Sequence, residues 1–157
     1  MRVDDSGPSL TIAMLDEFEE HFNLELPQDY RLFMIEHNGG RPEEDWVFDF
    51  IEAGSEGATS SVLCDFYFID RIDNDSLYSI ASLYQFLVEE ELIPPSLLPI
   101  ACDPGGNYLL LCVSERDYGK VCFGNHELAD SETGYYIMSL IADSFTEFIE
   151  SLYLDQS

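Results

Sequence analysis

The sequence carries very little positive charge. Its 157 residues include six lysines and arginines, with Lys120 as the sole lysine, against 32 aspartates and glutamates, which gives a formal net charge of −26. A negative field of this size repels the phosphates of nucleic acids and the headgroups of anionic lipids. We therefore expect no direct binding of DNA, RNA or a membrane surface. A basic protein partner, high solubility or a high-salt habitat would each account for the charge.

Long apolar runs are also missing. The N-terminal sequence MRVDDSGPSL contains no apolar segment of the kind that directs secretion, and no later run approaches the roughly 20 residues of a transmembrane helix. The sequence therefore predicts a cytoplasmic protein that does not enter a membrane. In that compartment thiols stay reduced.

The usual metal-binding patterns are absent as well. The cysteines form no CxxC pair and lie in apolar runs, which is typical of small buried hydrophobic residues. They are Cys64, Cys102, Cys112 and Cys122. His126 and Glu127 begin an HExx sequence, but Asp130 stands where a catalytic zinc site needs its second histidine. We predict no bound metal.

Two other stretches have the composition of ligand sites without the required spacing. Residues Asp70 to Asp75 are rich in carboxylates but lack the central glycine and the final glutamate of a calcium loop. The turn from Asp103 to Asn107 contains glycines but no Walker lysine, which favours a hairpin over a phosphate site. No nucleophile elbow or papain-like cysteine sequence is present. The sequence therefore predicts no catalytic residue and no cofactor.

The composition predicts one folded domain over residues 1–157. Hydrophobic residues make up 46% of the chain and aromatic residues 13%, which is too rich for a disordered protein. A chain of this length buries about two thirds of its unfolded surface. One hydrophobic core is expected.

Helical spacing of apolar residues predicts a pair of helices near the N-terminus, a middle helix and a C-terminal helix. The predicted segments are Thr11 to Phe22, the helix within Leu26 to Pro42, Ser76 to about Glu91, and a helix capped by Ser144. In the last helix an apolar stripe is predicted at every third or fourth residue: Phe145, Phe148, Ile149, Leu152 and Tyr153.

Extended patterns occupy the middle of the chain. The predicted strands are Trp46 to Phe50, Val62 to Ile69, Leu97 to Cys102, Tyr108 to Val113, Lys120 to Phe123 and Tyr135 to Ala142. The stretch from Glu52 to Ser61, rich in glycine and serine, predicts a mobile loop. The fold class is α+β, with a mixed or largely antiparallel sheet of about five or six strands flanked by the helices.

Four stretches resemble motifs of the SUKH superfamily, in the expected order. They are LPQDYRLFMIEHNGGRP (Leu26 to Pro42), LPIACDPGGN (Leu98 to Asn107), VCFGNHE (Val121 to Glu127) and YIMSLIADSFTEFIESL (Tyr136 to Leu152). The resemblance covers about residues 10–153. It implies a SUKH-like α+β domain and one of two roles. SUKH relatives commonly act as immunity proteins that neutralise a cognate polymorphic toxin, often a nuclease, while a fungal relative is a regulatory adaptor.

Dense clusters of acid near predicted loop ends are the candidate contacts for a basic protein toxin. An aromatic residue ringed by charge is a typical interface anchor, which adds a tryptophan to the set. The candidate partner-binding residues are Glu43, Glu44, Asp45, Trp46, Asp70, Asp73 and Asp75. The competing interpretation is that these carboxylates form an ordinary solvated surface.

Overall fold

The structure is a computed structural model that describes residues 1–70, 79–114 and 116–155. Within these ranges the helices are α1 (Ile12–Phe22), α2 (Gln28–Glu36), α3 (Ile80–Glu89) and α4 (Phe145–Ser151). The strands are β1 (Val3–Asp4), β2 (Arg41–Pro42), β3 (Trp46–Ile51), β4 (Ala58–Val62), β5 (Leu97–Cys102), β6 (Tyr108–Cys112), β7 (Val121–Ala129), β8 (Tyr136–Ala142) and β9 (Tyr153–Leu154). The predicted α+β class is confirmed.

The N-terminal helical pair is present and ends where local signals predict. At the start of α1 the Thr11 side chain accepts a hydrogen bond from the Met14 N–H at 3.2 Å. Asn23 ends the helix in the left-handed conformation, with φ of 52°. Helix α2 buries Tyr30 and Met34.

The turn after α2 ties three parts of the chain together. The Asn38 side-chain amide donates to the carbonyls of Pro8 and Ile69, both at 2.7 Å, and its oxygen accepts from the Ile69 N–H at 2.8 Å. Gly39 and Gly40 follow with φ of +73° and +115°. These left-handed conformations strain any residue with a side chain, so the glycines are required here.

The strands fall into three antiparallel sheets within the described residues. Strands β5, β6, β7 and β8 pair in that order, β3 lies between β4 and β9, and β1 pairs with β2. Strands β5 and β6 form the predicted hairpin, with Leu97 opposite Cys112 and Cys102 opposite Tyr108. The single predicted sheet is therefore divided, although isolated bridges still connect its parts.

The bridges centre on Phe66. Its backbone pairs with Gly40 on one side and with Ala101 of β5 on the other. The prediction of one regular strand from Val62 to Ile69 is wrong, because pairing beyond β4 is limited to such single bridges. A register shift in β5 between Pro99 and Ala101 interrupts the ladder at this place.

The predicted loop from Glu52 to Ser61 is too long. Its second half forms most of β4, which pairs with β3 so that Ala58 lies opposite Ile51 and Val62 opposite Val47. The side chains of residues 58–60 are exposed and small, so the sequence shows no apolar alternation there. Backbone pairing with β3 determines this strand.

The middle helix matches its prediction in the described residues, and the last helix does so as far as Ser151. The predicted start of the middle helix at Ser76 lies outside those residues, and α3 begins at Ile80. The predicted cap of α4 is confirmed, because the Ser144 hydroxyl accepts a hydrogen bond from the Glu147 N–H at 3.0 Å.

Aromatic rings fill the core between the helices and the sheets. The centroids of Phe50 and Phe123 lie 4.3 Å apart in a stacked pair that joins β3 to β7. Phe145 of α4 lies 5.1 Å from Tyr30 and 5.0 Å from Phe33, which fastens α4 to α2. None of the described helices is both long enough and apolar enough to span a lipid bilayer.

Candidate partner-binding surface

The first predicted acid cluster, Glu43 to Asp45, lies on the connection between β2 and β3, with all its side chains exposed. The Glu43 N–H donates to the Arg2 carbonyl at 2.9 Å, and the Glu43 carboxylate lies 3.3 Å from Arg2 Nε. The Arg2 side chain is 81% exposed, so water screens this ion pair. The backbone thus fixes the cluster and leaves its charge available to a partner.

Trp46 follows the cluster as the first residue of β3. Its carbonyl accepts a hydrogen bond from the Leu63 N–H at 2.8 Å. Its half-buried side chain packs against the hydrophobic core, on the same side of the strand as Phe48 and Phe50. The role of Trp46 as an anchor stays a prediction, for which only the exposed part of the ring is available.

Asp70 lies far from the first cluster. From the antiparallel bridge between Gly40 and Phe66, Glu43 lies three residues along one segment, and Asp70 lies four residues along the other in the opposite direction. The two acids therefore lie on opposite sides of this bridge. Asp73 and Asp75 lie outside the described residues. The structure therefore does not bring Asp70 and the first cluster together.

The sheet of β4, β3 and β9 has an outer face that is not among the sequence predictions. Alternation along β3 buries Phe50 on one side and exposes Asp49 and Ile51 on the other. Val47 points to the same outer side as Asp49, because it lies two residues before it in the strand. Tyr153 of β9 lies directly opposite Val47 and therefore also on the outer side. Ile51 is 57% exposed and Tyr153 43% exposed. We call Asp49, Ile51 and Tyr153 the β3–β9 face.

Hydrogen bonds fix this face beside the first acid cluster. The Tyr153 hydroxyl donates to Asp49 Oδ1 at 2.6 Å, and this bond raises the pKa of Tyr153, because a phenolate could not donate it. The Asp155 N–H donates to the Asp45 carbonyl at 3.2 Å, which places another exposed carboxylate at the edge. The surface therefore combines exposed apolar side chains with a carboxylate border.

The sequence indicates the orientation of Asp49 on this surface but not that of Tyr153. The alternation in β3 indicates that Asp49 faces away from the core. The predicted apolar stripe of the last helix is wrong at Tyr153, because α4 ends at Ser151 and Tyr153 lies exposed in β9. A strand of two residues leaves no periodic pattern to detect.

The turn from Asp103 to Asn107 is structural, as its composition favours. Asp103 Oδ1 accepts hydrogen bonds from the N–H groups of Gly105 at 3.0 Å and Asn107 at 2.9 Å, and Oδ2 accepts from the Ser61 hydroxyl at 2.7 Å. His126 Nε2 lies 2.7 Å from the Gly105 carbonyl. These groups hold the hairpin and the neighbouring strands together.

The fold brings two distant cysteines to one place. Cys64 Sγ, an Asp65 carboxylate oxygen and Cys102 Sγ all lie within 4.8 Å of one another. Burial, together with the nearby Cys102 and Asp65, raises the pKa of the Cys64 thiol to about 11. The two sulfurs and the Asp65 oxygen are a group that could hold a metal. Cys112 is buried, as predicted for all four cysteines, whereas Cys64, Cys102 and Cys122 are partly exposed.

Comparison with known proteins agrees with the resemblance in the sequence. The model of the SMI1 / KNR4 family (SUKH-1) matches residues 9–151. The chain is also similar to the SPbeta prophage-derived uncharacterized protein YokK of Bacillus subtilis (strain 168). The two are 30% identical over 158 residues, which cover 92% of this chain and 76% of the relative. The protein therefore belongs to the SMI1 / KNR4 family (SUKH-1).

Proposed function

We propose that this protein is a cytoplasmic, non-catalytic immunity protein that binds and neutralises a cognate polymorphic toxin. Membership of a family that includes toxin-immunity proteins supports this proposal. The prophage origin of the relative supports it further, because a mobile element that encodes a toxin needs an inhibitor in the same cell. The proposed inhibition is stoichiometric, with one inhibitor occupying one toxin.

A basic nuclease is the toxin that we propose. Nucleases bind phosphates in positively charged clefts, and an acidic inhibitor docks quickly on such a cleft and blocks it. The net charge of −26 supplies the long-range attraction. The same charge disfavours direct contact between this protein and nucleic acid or anionic membranes.

The observation that carries the proposal is the β3–β9 face with its border of carboxylates. Ile51 and Tyr153 are exposed apolar side chains, and Asp49 lies between them in hydrogen-bond contact with Tyr153. Together with Glu43 to Asp45 they have the composition of an interface, in which an apolar centre gives affinity and a charged rim steers docking.

The proposal is tested by capture from the native host. The tagged protein is used to retain partners at low and at high salt, and the retained proteins are identified by mass. We expect one basic nuclease, released by high salt, whose activity is abolished at a 1:1 ratio. Retention of several unrelated regulators would contradict the immunity proposal and favour an adaptor role like that of the fungal relative.

Coexpression provides an independent test. The open reading frame next to the gene is expressed with and without this protein in a host that lacks both. Rescue of growth by the intact protein, but not by an Ile51→Asp and Tyr153→Asp double variant that remains folded by circular dichroism, is expected. Equal rescue by both would show that the β3–β9 face is not the binding surface.

A further inference from the structure

We propose that Cys64, Asp65 and Cys102 form a binding site for a thiophilic divalent cation of the Zn²⁺ class. The two sulfurs and a carboxylate oxygen lie within 4.8 Å of one another. Thiolates and a carboxylate are established zinc ligands, and three protein ligands leave one position for water or for a group from a partner. The inference is independent of the proposed immunity function.

Irregular backbone pairing creates the site. The Cys64 N–H donates to the Cys102 carbonyl at 2.9 Å, and the Cys102 N–H donates to the Asp65 carbonyl at 3.1 Å. Neighbouring residues in a regular strand point to opposite faces, so Cys64 and Asp65 could not then bind the same ion. This segment is held by single bridges instead, and Cys64 Sγ lies 3.5 Å from Asp65 Oδ2.

The spacing suits the ion without a backbone shift. With Zn–S distances of about 2.3 Å, two sulfurs of a tetrahedral site are about 3.8 Å apart. In the structure the two sulfurs are no more than 4.8 Å apart, so they must approach each other by at most about 1 Å. Side-chain rotation of Cys64 or Cys102 is enough for this. The three residues are all partly exposed, so an ion can reach them.

Arg41 supports the carboxylate from the outer side. Its Nε lies 3.0 Å from Asp65 Oδ1 and its Nη2 lies 3.3 Å from Oδ2. This contact orients Asp65 as a hydrogen-bonding neighbour of a metal ligand does, and it balances part of the negative charge of two thiolates and a carboxylate.

Metal binding at this site must release protons. Thiols bind the ion as thiolates, so each coordinated cysteine gives up its proton. The cation displaces thiol protons and forms metal–sulfur bonds without any change in oxidation state, so the affinity rises with pH.

The test uses Co²⁺ as a coloured substitute for Zn²⁺ and the full reduced chain. We expect a 1:1 titration with a sulfur-to-cobalt charge-transfer band that Zn²⁺ abolishes by competition. The band disappears in C64S and in C102S, and D65N weakens binding about tenfold or more. The matched control is the C112S/C122S double variant, which removes two thiols elsewhere and leaves the titration unchanged.

A second measurement avoids mutation. In the wild-type protein, saturating Zn²⁺ is expected to slow alkylation of Cys64 and Cys102 at least tenfold, as read by peptide mass spectrometry, without equal protection of Cys112 and Cys122. The proposal is overturned if Co²⁺ produces no charge-transfer band, if the band survives in a C64S/C102S variant, or if alkylation of Cys64 and Cys102 is unaffected by Zn²⁺.

Discussion

Tyr153 donates a hydrogen bond of 2.6 Å to Asp49, across 104 positions of sequence, and so links β9 to β3 on the outer face of the sheet they share. Because the acceptor is a carboxylate, the bond is charge-assisted and stronger than one between neutral groups. It also fixes the orientation of an exposed aromatic ring on the surface that we propose for toxin binding.

The first prediction concerns the titration of Tyr153. In D49N we expect the pKa of Tyr153 to fall towards its ordinary value near 10, because the hydrogen-bonded carboxylate that favours the protonated phenol is gone. An NMR titration with tyrosine labelled at Cζ measures this shift. The exposed residue Glu44 serves as control, since E44Q should leave Tyr153 unchanged.

The same pKa shift gives the sign of a pH effect on stability. The folded state holds the Tyr153 proton more tightly than the unfolded state, so the interaction stabilises fully below about pH 10 and is lost as the pH rises through the raised pKa. The stability advantage of the wild type over D49N should therefore shrink in strongly alkaline solution. An advantage that grows with pH would refute this assignment.

The second prediction concerns local charge. E43Q/E44Q/D45N and E89Q/E90Q/E91Q each remove three exposed negative charges, the first beside the β3–β9 face and the second at the end of α3. We expect the first variant to slow association with the captured basic partner about tenfold and to reduce the salt dependence, and the second to have a much smaller effect. Stopped-flow binding distinguishes them. Equal slowing would mean that only the total charge matters.

The third prediction concerns the ion pair between α1 and α2. The Arg31 and Glu19 side chains are only 15% and 16% exposed, and the two carboxylates of Glu19 and Asp16 raise the pKa of Arg31 despite its partial burial. R31L leaves Glu19 without its cation, so we expect the free energy of unfolding in urea to fall by about 3 kcal/mol.

Arg2 provides the matched control for this pair. It also contacts a glutamate, Glu43, but its side chain is 81% exposed, so R2L should change the stability by less than about 0.5 kcal/mol. Adding E19Q to R31L should restore part of the loss, because no unpaired charge then remains. Similar effects of R31L and R2L would show that burial does not distinguish the two pairs.

The fourth prediction concerns the turn after α2. A Cβ at Gly40 would meet the backbone carbonyl of Asp4 and the backbone N–H of Ser6, in addition to the strain of a φ of +115°. We expect G40A to lower the free energy of unfolding by about 3 kcal/mol or more. G54A has a φ of +87° but open space around the Cβ, and should cost about 1 kcal/mol. Equal losses of unfolding free energy in G40A and G54A would mean that the left-handed φ, and not the close backbone contacts, causes the whole effect.

Features that depend on a few adjacent residues could be predicted from the sequence. The Ser144 cap, the end of α2 before Gly39 and the hairpin between β5 and β6 each follow from local chemistry. The prediction fails where distant backbone decides the structure. Strand β4 has no apolar alternation and is formed by pairing with β3. The segment around Phe66 pairs with Gly40 and Ala101 only through single bridges, which no local pattern indicates.

The same distinction applies to the candidate sites. Glu43 to Asp45 could be found as a run of acidic residues, and the structure leaves their side chains exposed, as binding to a partner requires. The contact between Asp49 and Tyr153 depends on the C-terminal strand reaching β3, and the approach of Cys64 to Cys102 depends on a break in regular pairing. Neither has a short-range pattern, so sequence spacing alone gave no zinc signal.

Asn38 joins Pro8 to Ile69 through an uncharged amide, while the surface that we propose for toxin binding depends on carboxylates. Changes in ionic strength or mild acidification weaken the second kind of interaction and leave the first almost untouched. The turn that joins Pro8 and Ile69 to the end of α2 is thus insensitive to conditions that weaken an interface of carboxylates. We therefore expect added salt to release a bound toxin while this turn stays intact.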